Sequence, residues 1–286
     1  MSGAAIALVL LSAFLHAVWN VFNKGSDDRW GFFLAQGMAM MIAYTPLCWW
    51  WWPAGGIAPL GWLWIVASGG VHAAYAAYLL KSYDAGDLSV AYPLSRSAPV
   101  LVLAWDLVTA RAALSEWGVL GATLSGVGAL TLQFPAVRAR GLRAVLGDRV
   151  TRYALLTALT IAVFTIIDKQ GVGVVPPFVF LYTISLVEFV LLGAFVGRQA
   201  LTRARGALRA NPAMVLFNGI VGPISYLLIL WVLVTAPASY VLGLRQTSIV
   251  FGVMLSRLVL GEGETVYRLA GALIIAIGSA LIAFAG

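Results

Sequence analysis

Apolar runs of about 20 residues succeed one another from the first residues to the last, separated by short clusters of turn-forming and charged positions. A run of that length crosses a hydrocarbon core of about 30 Å as a helix. The pattern predicts ten spans, at 4–24, 31–51, 60–81, 88–109, 116–134, 153–171, 177–197, 213–235, 238–260 and 266–285. The separators are Ser26 to Arg29, Pro53 to Pro59, Asp84 to Asp87, Arg111, Arg138 to Arg152, Arg198 to Arg209 and Gly261 to Glu264. No stretch is left for a soluble domain. The expected fold is an all-α polytopic membrane protein.

The pattern also repeats. GATLSGVGAL at 121–130 lies over GALIIAIGSAL at 271–281, a shift of 150 that pairs Ser89 with Ser239 and Gly128 with Gly278. Slipped by one, the same shift puts GGVHAAY at 69–75 over GIVGPISY at 219–226, and a shift of 145 sets Trp19 on Phe164 and Lys24 on Lys169. Two five-span units follow, residues 1–140 and 150–286. Five is odd, so the second unit enters the membrane from the opposite face. Inverted repeats of this kind place a substrate site near the midplane, between the halves.

Composition sharpens the class. The chain is 62% hydrophobic and 10% charged, against about a quarter charged in soluble domains. Its net charge of +7 does not point to nucleic acid, because the basic residues sit in short loops and not on one solvated face. Odd-numbered loops hold Lys24, Arg29, Lys81, Arg138, Arg140, Arg143, Arg149, Arg152, Arg198, Arg203, Arg205, Arg209, Arg257 and Arg268, whereas the opposite side has only Arg111 and Lys169. Taking the basic side as cytoplasmic puts both termini outside, in the periplasm if the membrane is a bacterial inner membrane. The N-terminus lacks a basic n-region and a convincing cleavage site, and reads as an uncleaved span. One cysteine, Cys48, rules out an internal disulfide framework. There is no phosphate-loop motif, H-E-x-x-H pair or G-x-S-x-G elbow, so ATP hydrolysis, metal and cofactor chemistry are not expected.

Charges buried in spans are the candidates for function. Arg96 and Arg245 stand about eight residues into matched stretches, GDLSVAYPLSRSAP and APASYVLGLRQTSIV, which is roughly 12 Å deep. Their guanidinium forks suit a carboxylate or phosphate; the competing role is to satisfy carbonyls freed by Pro93, Pro99 or Pro237. The prolines also favour a kinked or unwound segment around Arg96. His16, Trp19 and Asn20 share a helical face, as do His72 and Tyr75, and Tyr226 answers Tyr75 in the repeat. Such residues line pockets or join helices; His72, without a second ligand at metal spacing, reads as structural. Glu188, read as the only acid near a span centre, is the candidate for ion coupling. Asp168, Lys169 and Lys24, at helix ends, read as snorkelling side chains, and Trp49 to Trp52 as an interfacial belt.

The strings HAVWN, GDLSVAYPLSRSAPVL and SYVLGLRQTSIVFGVMLSRLVLGEGE resemble the EamA-type branch of the drug/metabolite transporter superfamily over nearly the whole chain. The resemblance implies ten helices in two inverted halves, a central cavity, and export or exchange of small metabolites. The family's Gly-Glu pair ending the fourth and ninth helices is present as Gly261-Glu262, but Arg111-Ala112 stands at the first-half position. The expectation is a secondary transporter of a small polar or amphipathic metabolite, with the lipid bilayer and that metabolite as its partners and a monomer or homodimer as its state. Alternatives are a flippase-like carrier of an amphiphilic compound, a non-transporting assembly subunit, and a membrane enzyme, the last disfavoured because the acids and histidines are scattered.

Overall fold

In the computed structural model, residues 1–23, 28–85, 95–109, 114–131, 134, 138, 141, 145, 147–260 and 266–285 are described, the side chains of 20–23 and 256–260 excepted. All regular structure among them is helical. In chain order the helices are α1 (Gly3–Asn23), α2 (Arg29–Trp50), α3 (Pro59–Ala85), α4 (Ala98–Thr109), α5 (Glu116–Thr131), α6 (Arg149–Gly171) and α7 (Pro177–Val196). A 3₁₀ turn (Gly197–Gln199) then leads into α8 (Ala200–Ala210), α9 (Pro212–Leu233), α10 (Ala238–Arg245), α11 (Thr247–Leu260) and α12 (Val266–Phe284).

Seven helical segments among the described residues are long and apolar enough to cross a membrane, fewer than the ten spans expected. The shortfall has local causes. The side chains of α1 are described only to Trp19, α5 is 16 residues long, and the predicted span 88–109 begins outside the described residues, so that α4 supplies its last 12. The predicted ninth span is among the seven, but it is divided: α10 ends at Arg245, Gln246 is a turn, and α11 begins at Thr247. The stretch 198–209, read as a polar loop, is largely helix α8.

Apolar side chains cover the outside as well as the inside. Ile42, Val108 and Phe284 are at least three-quarters exposed, and Trp49 and Trp50 still more than Ile42. In water such a surface would drive aggregation; in lipid it is the matching solvent.

Close approach is clearest between α5 and α12. A Cβ on Gly121 would stand 2.5 Å from the carbonyl of Gly278, and one on Gly128 would stand 2.9 Å from that of Gly271, distances that only glycine permits. The shift of 150 equates Gly121 with Gly271 and Gly128 with Gly278, so each glycine meets the counterpart of the other. That exchange requires the two helices to run antiparallel. Elsewhere α1 packs on α9 and α6 on α3, while α2 packs on α9 and α7 on α3. First- and second-half helices therefore interleave. Ser12 and Ser225 tie α1 to α9 reciprocally: each hydroxyl donates to the other residue's carbonyl, at 2.7 and 2.9 Å.

Polar ties close the two ends. At one, Asp28 caps α2 by accepting from the Gly31 N–H at 3.0 Å and receives Arg203 Nε at 3.0 Å and Nη2 at 2.6 Å. These bonds hold the Asp28 carboxyl below its ordinary range. At the other, Asp106 Oδ2 on α4 accepts from the Ser239 N–H at the start of α10, at 2.9 Å.

Candidate functional site

A cavity of about 200 Å³ lies among α1, α2, α3, α6, α7, α9 and α10, with residues of both halves in its wall. Helical spacing delivers them. His16 and Trp19, three apart, stack their rings at 5.4 Å on the face of α1 that meets the cavity. Trp19 Nε1 donates to Gln36 Oε1 on α2 at 3.3 Å. From α3 come His72 and Tyr75, from α7 Glu188, from α9 Tyr226, and from the last turn of α10 Arg245. The Arg245 guanidinium lies 5.3 Å from the centre of the Tyr226 ring, a cation–π arrangement that is stronger out of water.

Of the residues read from the sequence, His16, Trp19, Tyr75, Tyr226, Arg245 and Glu188 stand on this one wall. The Asn20 side chain lies outside the described residues, as do Lys24, Arg111, Ala112, Gly261 and Glu262. Arg96 is placed differently from Arg245. It sits in the turn that precedes α4, behind His16, with Nη2 at 2.5 Å from His16 Nε2. Since a guanidinium only donates, Nε2 accepts and the imidazole carries its proton on Nδ1. Gln246 Nε2 donates to the Arg96 carbonyl, so the interruptions of the fourth and ninth predicted spans meet through a side-chain amide and a main-chain carbonyl. An unwound backbone is tolerated at such depth because it is satisfied by protein.

The sequence reading of Asp168 requires correction. It does not snorkel: its side chain is 0% exposed. Ser68 Oγ and Tyr226 OH both donate to its carboxylate, and His72 Nε2 is 3.2 Å from Oδ2. His72 also stacks on Phe164 at 4.0 Å. Ser68 and His72 are four apart on α3, as Phe164 and Asp168 are on α6, so two helical ridges meet at one buried carboxylate. Two hydroxyl donors and one imidazole satisfy it, which is the condition for keeping a charge out of water. Lys169 Nζ donates to the carbonyls of Leu233 and Ala236, each at 2.8 Å, completing the last turn of α9. Asp106 and Asp168, each three residues from the end of its helix, are further buried acids, while Glu188 stands mid-helix.

The wall is thus divided by chemistry. Arg245 presents a cation, Glu188 a carboxylate that accepts no hydrogen bond among the described residues, and Trp19, Phe164, Phe189, Met40 and Met41 supply apolar area. Asn218, on α9, is 1% exposed and also borders the space. Among the described residues no group of three His, Cys, Asp or Glu converges as a metal site would require. Gln36 and Asn218 were not picked out from the sequence, Phe164 only as the repeat partner of Trp19, and Asp168 only as a helix-end side chain. The signals for Asp168 were its place four residues after Phe164, the repeat partner of Trp19, and the i, i+4 pair Ser68 and His72.

The model of the EamA-like transporter family matches residues 151–284. The second half of this chain is therefore similar to that family. That half supplies α6 to α12, and with them Phe164, Glu188, Tyr226 and Arg245. The match is to a domain of the drug/metabolite transporter superfamily and covers a little under half of the chain; the apolar helices are those of a multi-pass membrane protein. A solved structure titled "Crystal structure of protein" superposes with a TM-score of 0.66 over 99% of each chain at 12% identity; that likeness is one of fold alone. No curated protein gives a significant match.

Proposed function

We propose that the chain is a secondary transporter that moves a small amphipathic metabolite by alternating access of two inverted five-helix halves, residues 1–140 and 150–286. The observation that carries this reading is the composition of the cavity: one wall, contributed by both halves, holds a guanidinium, a carboxylate, ring-lined apolar area and amide groups. The antiparallel, counterpart-exchanging contact of α5 with α12 supports the inverted relation. In this scheme Arg245 receives a carboxylate or phosphate of the substrate. Trp19, Tyr75 and Tyr226 hold its apolar part, and His16 is oriented by Arg96 behind it. Glu188 takes a cationic group of the substrate or the coupling proton. The direction we favour is export or exchange, across a bacterial inner membrane, with both termini on the outer side.

The second-half EamA-like match supports transport over catalysis or scaffolding. The experiment is flux in proteoliposomes loaded with candidate metabolites, first chosen by the thermal stabilisation that a ligand confers on the purified protein. Arg245→Ala is expected to remove both the stabilisation and at least 90% of the flux, about 1.4 kcal/mol or more of lost interaction, while its unliganded melting temperature stays near wild type. Glu188→Gln is expected to retain binding of purely anionic substrates but lose the response of flux to an imposed proton gradient or to a cationic group. Flux and ligand stabilisation unchanged in Arg245→Ala would remove that residue from the site.

A further inference from the structure

The segment joining α7 to α9 carries four arginines, and the fold uses them unequally. Gly197, at φ 71°, interrupts the helix after α7, and the chain re-forms as the 11 residues of α8. At about 100° per residue, Arg203, Ala204 and Ala207 turn toward the protein. Ala204 is 2% exposed, and Arg203 is engaged with Asp28. Arg205 and Arg209, one turn apart, stand on the opposite face, and Leu201 and Leu208, seven apart, form a stripe flanking it, 47% and 39% exposed. Arg198, in the 3₁₀ turn just before α8, is exposed as well. Among the described residues Arg198, Arg205 and Arg209 make no hydrogen bond, ion pair or ring contact.

A face of bare leucines is unsuited to water, and bare arginines are unsuited to hydrocarbon. Side by side on one helix they match the boundary between headgroups and acyl chains. Location agrees, because α8 is joined to α7 on one side and to α9 on the other, and both neighbouring stretches are apolar enough to cross a membrane. We propose that α8 lies on the leaflet surface and binds the phosphate groups of anionic phospholipids through Arg198, Arg205 and Arg209, with Leu201 and Leu208 set into the acyl boundary. Guanidinium groups bind phosphate oxygens through paired N–H donors, and an anionic leaflet adds attraction to each. The inner face of the same helix holds α2 through the Arg203–Asp28 pair, so lipid bound outside braces a contact made inside. The proposal is independent of what the cavity transports.

The test uses the purified full-length chain in detergent, supplemented with phosphatidylglycerol, phosphatidylcholine or inorganic phosphate. The melting temperature should rise more with phosphatidylglycerol than with phosphatidylcholine. The triple variant Arg198→Gln, Arg205→Gln, Arg209→Gln should lose that difference, and inorganic phosphate should not reproduce it. An equal response to the two lipids, a response retained by the triple variant, or full substitution by inorganic phosphate would each overturn the proposal. A second measurement keeps the native arginines: a nitroxide on Leu208→Cys, in a Cys48→Ala background in phosphatidylglycerol vesicles, should be relaxed more by dissolved oxygen than by a water-soluble nickel chelate. The reverse order would mean that α8 stands away from the bilayer.

Discussion

Asp28 uses one carboxylate both to cap α2 and to hold Arg203 on α8. Its folded-state pKa lies below the ordinary value, first because of the hydrogen bonds from Arg203. A depressed carboxylate contributes stability that is fully present above the unfolded pKa, about 4, and is lost as pH falls through the lower folded value. The melting temperature of the wild type should therefore exceed that of Asp28→Asn near pH 6, with the gap closing as pH falls below the unfolded carboxylate value and through the lower folded one. A gap independent of pH would contradict the assignment; the pair is more than a third exposed, so the effect is modest. At this scale the sequence was an uneven guide. Arg96 and Arg245 stood out because a charge in an apolar run is conspicuous, yet nothing in the run distinguished the one on the cavity wall from the one behind His16. Asp168 was hidden by its position near a helix end, where a carboxylate ordinarily reaches water; only the packing of α3 and α9 over that end buries it.

Hydropathy reports where a residue lives, not whether the helix around it is continuous. It located the spans but did not reveal the break at Gln246, where the Gln246 N–H turns back to the Gly243 carbonyl at 3.2 Å. It also passed over α8, which is amphipathic and short of apolar residues. The glycine strings, read as packing positions, are where α5 and α12 touch. Replacing Gly121 by Leu drives a side chain into the Gly278 carbonyl and the Ile282 side chain, and overpacking of this kind costs about 1–3 kcal/mol. Reversible unfolding in mixed detergent micelles should register that loss for Gly121→Leu but not for Gly3→Leu, which meets nothing within 4 Å. Equal stability of the two variants would mean that the α5–α12 contact is looser than the structure has it.

For the whole molecule, matched glycines recurring at one shift are what suggested a repeat, and the antiparallel contact of α5 with α12 is what an inverted repeat would produce. What the repeat does not encode is the asymmetry of the cavity. Trp19 faces Phe164 in the alignment, but His16 has no second-half equivalent of its type, and Glu188 and Asp168 have no acid opposite them in the first half. Two similar scaffolds thus enclose a site with distinct ends, which suits a substrate that has distinct ends.

The central claim is that this cavity opens to each side of the membrane in turn. Ser185, on the cavity wall, offers the most direct test as Ser185→Cys in a Cys48→Ala background, reacted with a membrane-impermeant thiol reagent in right-side-out and in inverted vesicles. Alternating access predicts labelling from both sides, slowed from both by a transported metabolite. Labelling confined to one side whatever ligand is present, or absent from both, would contradict it.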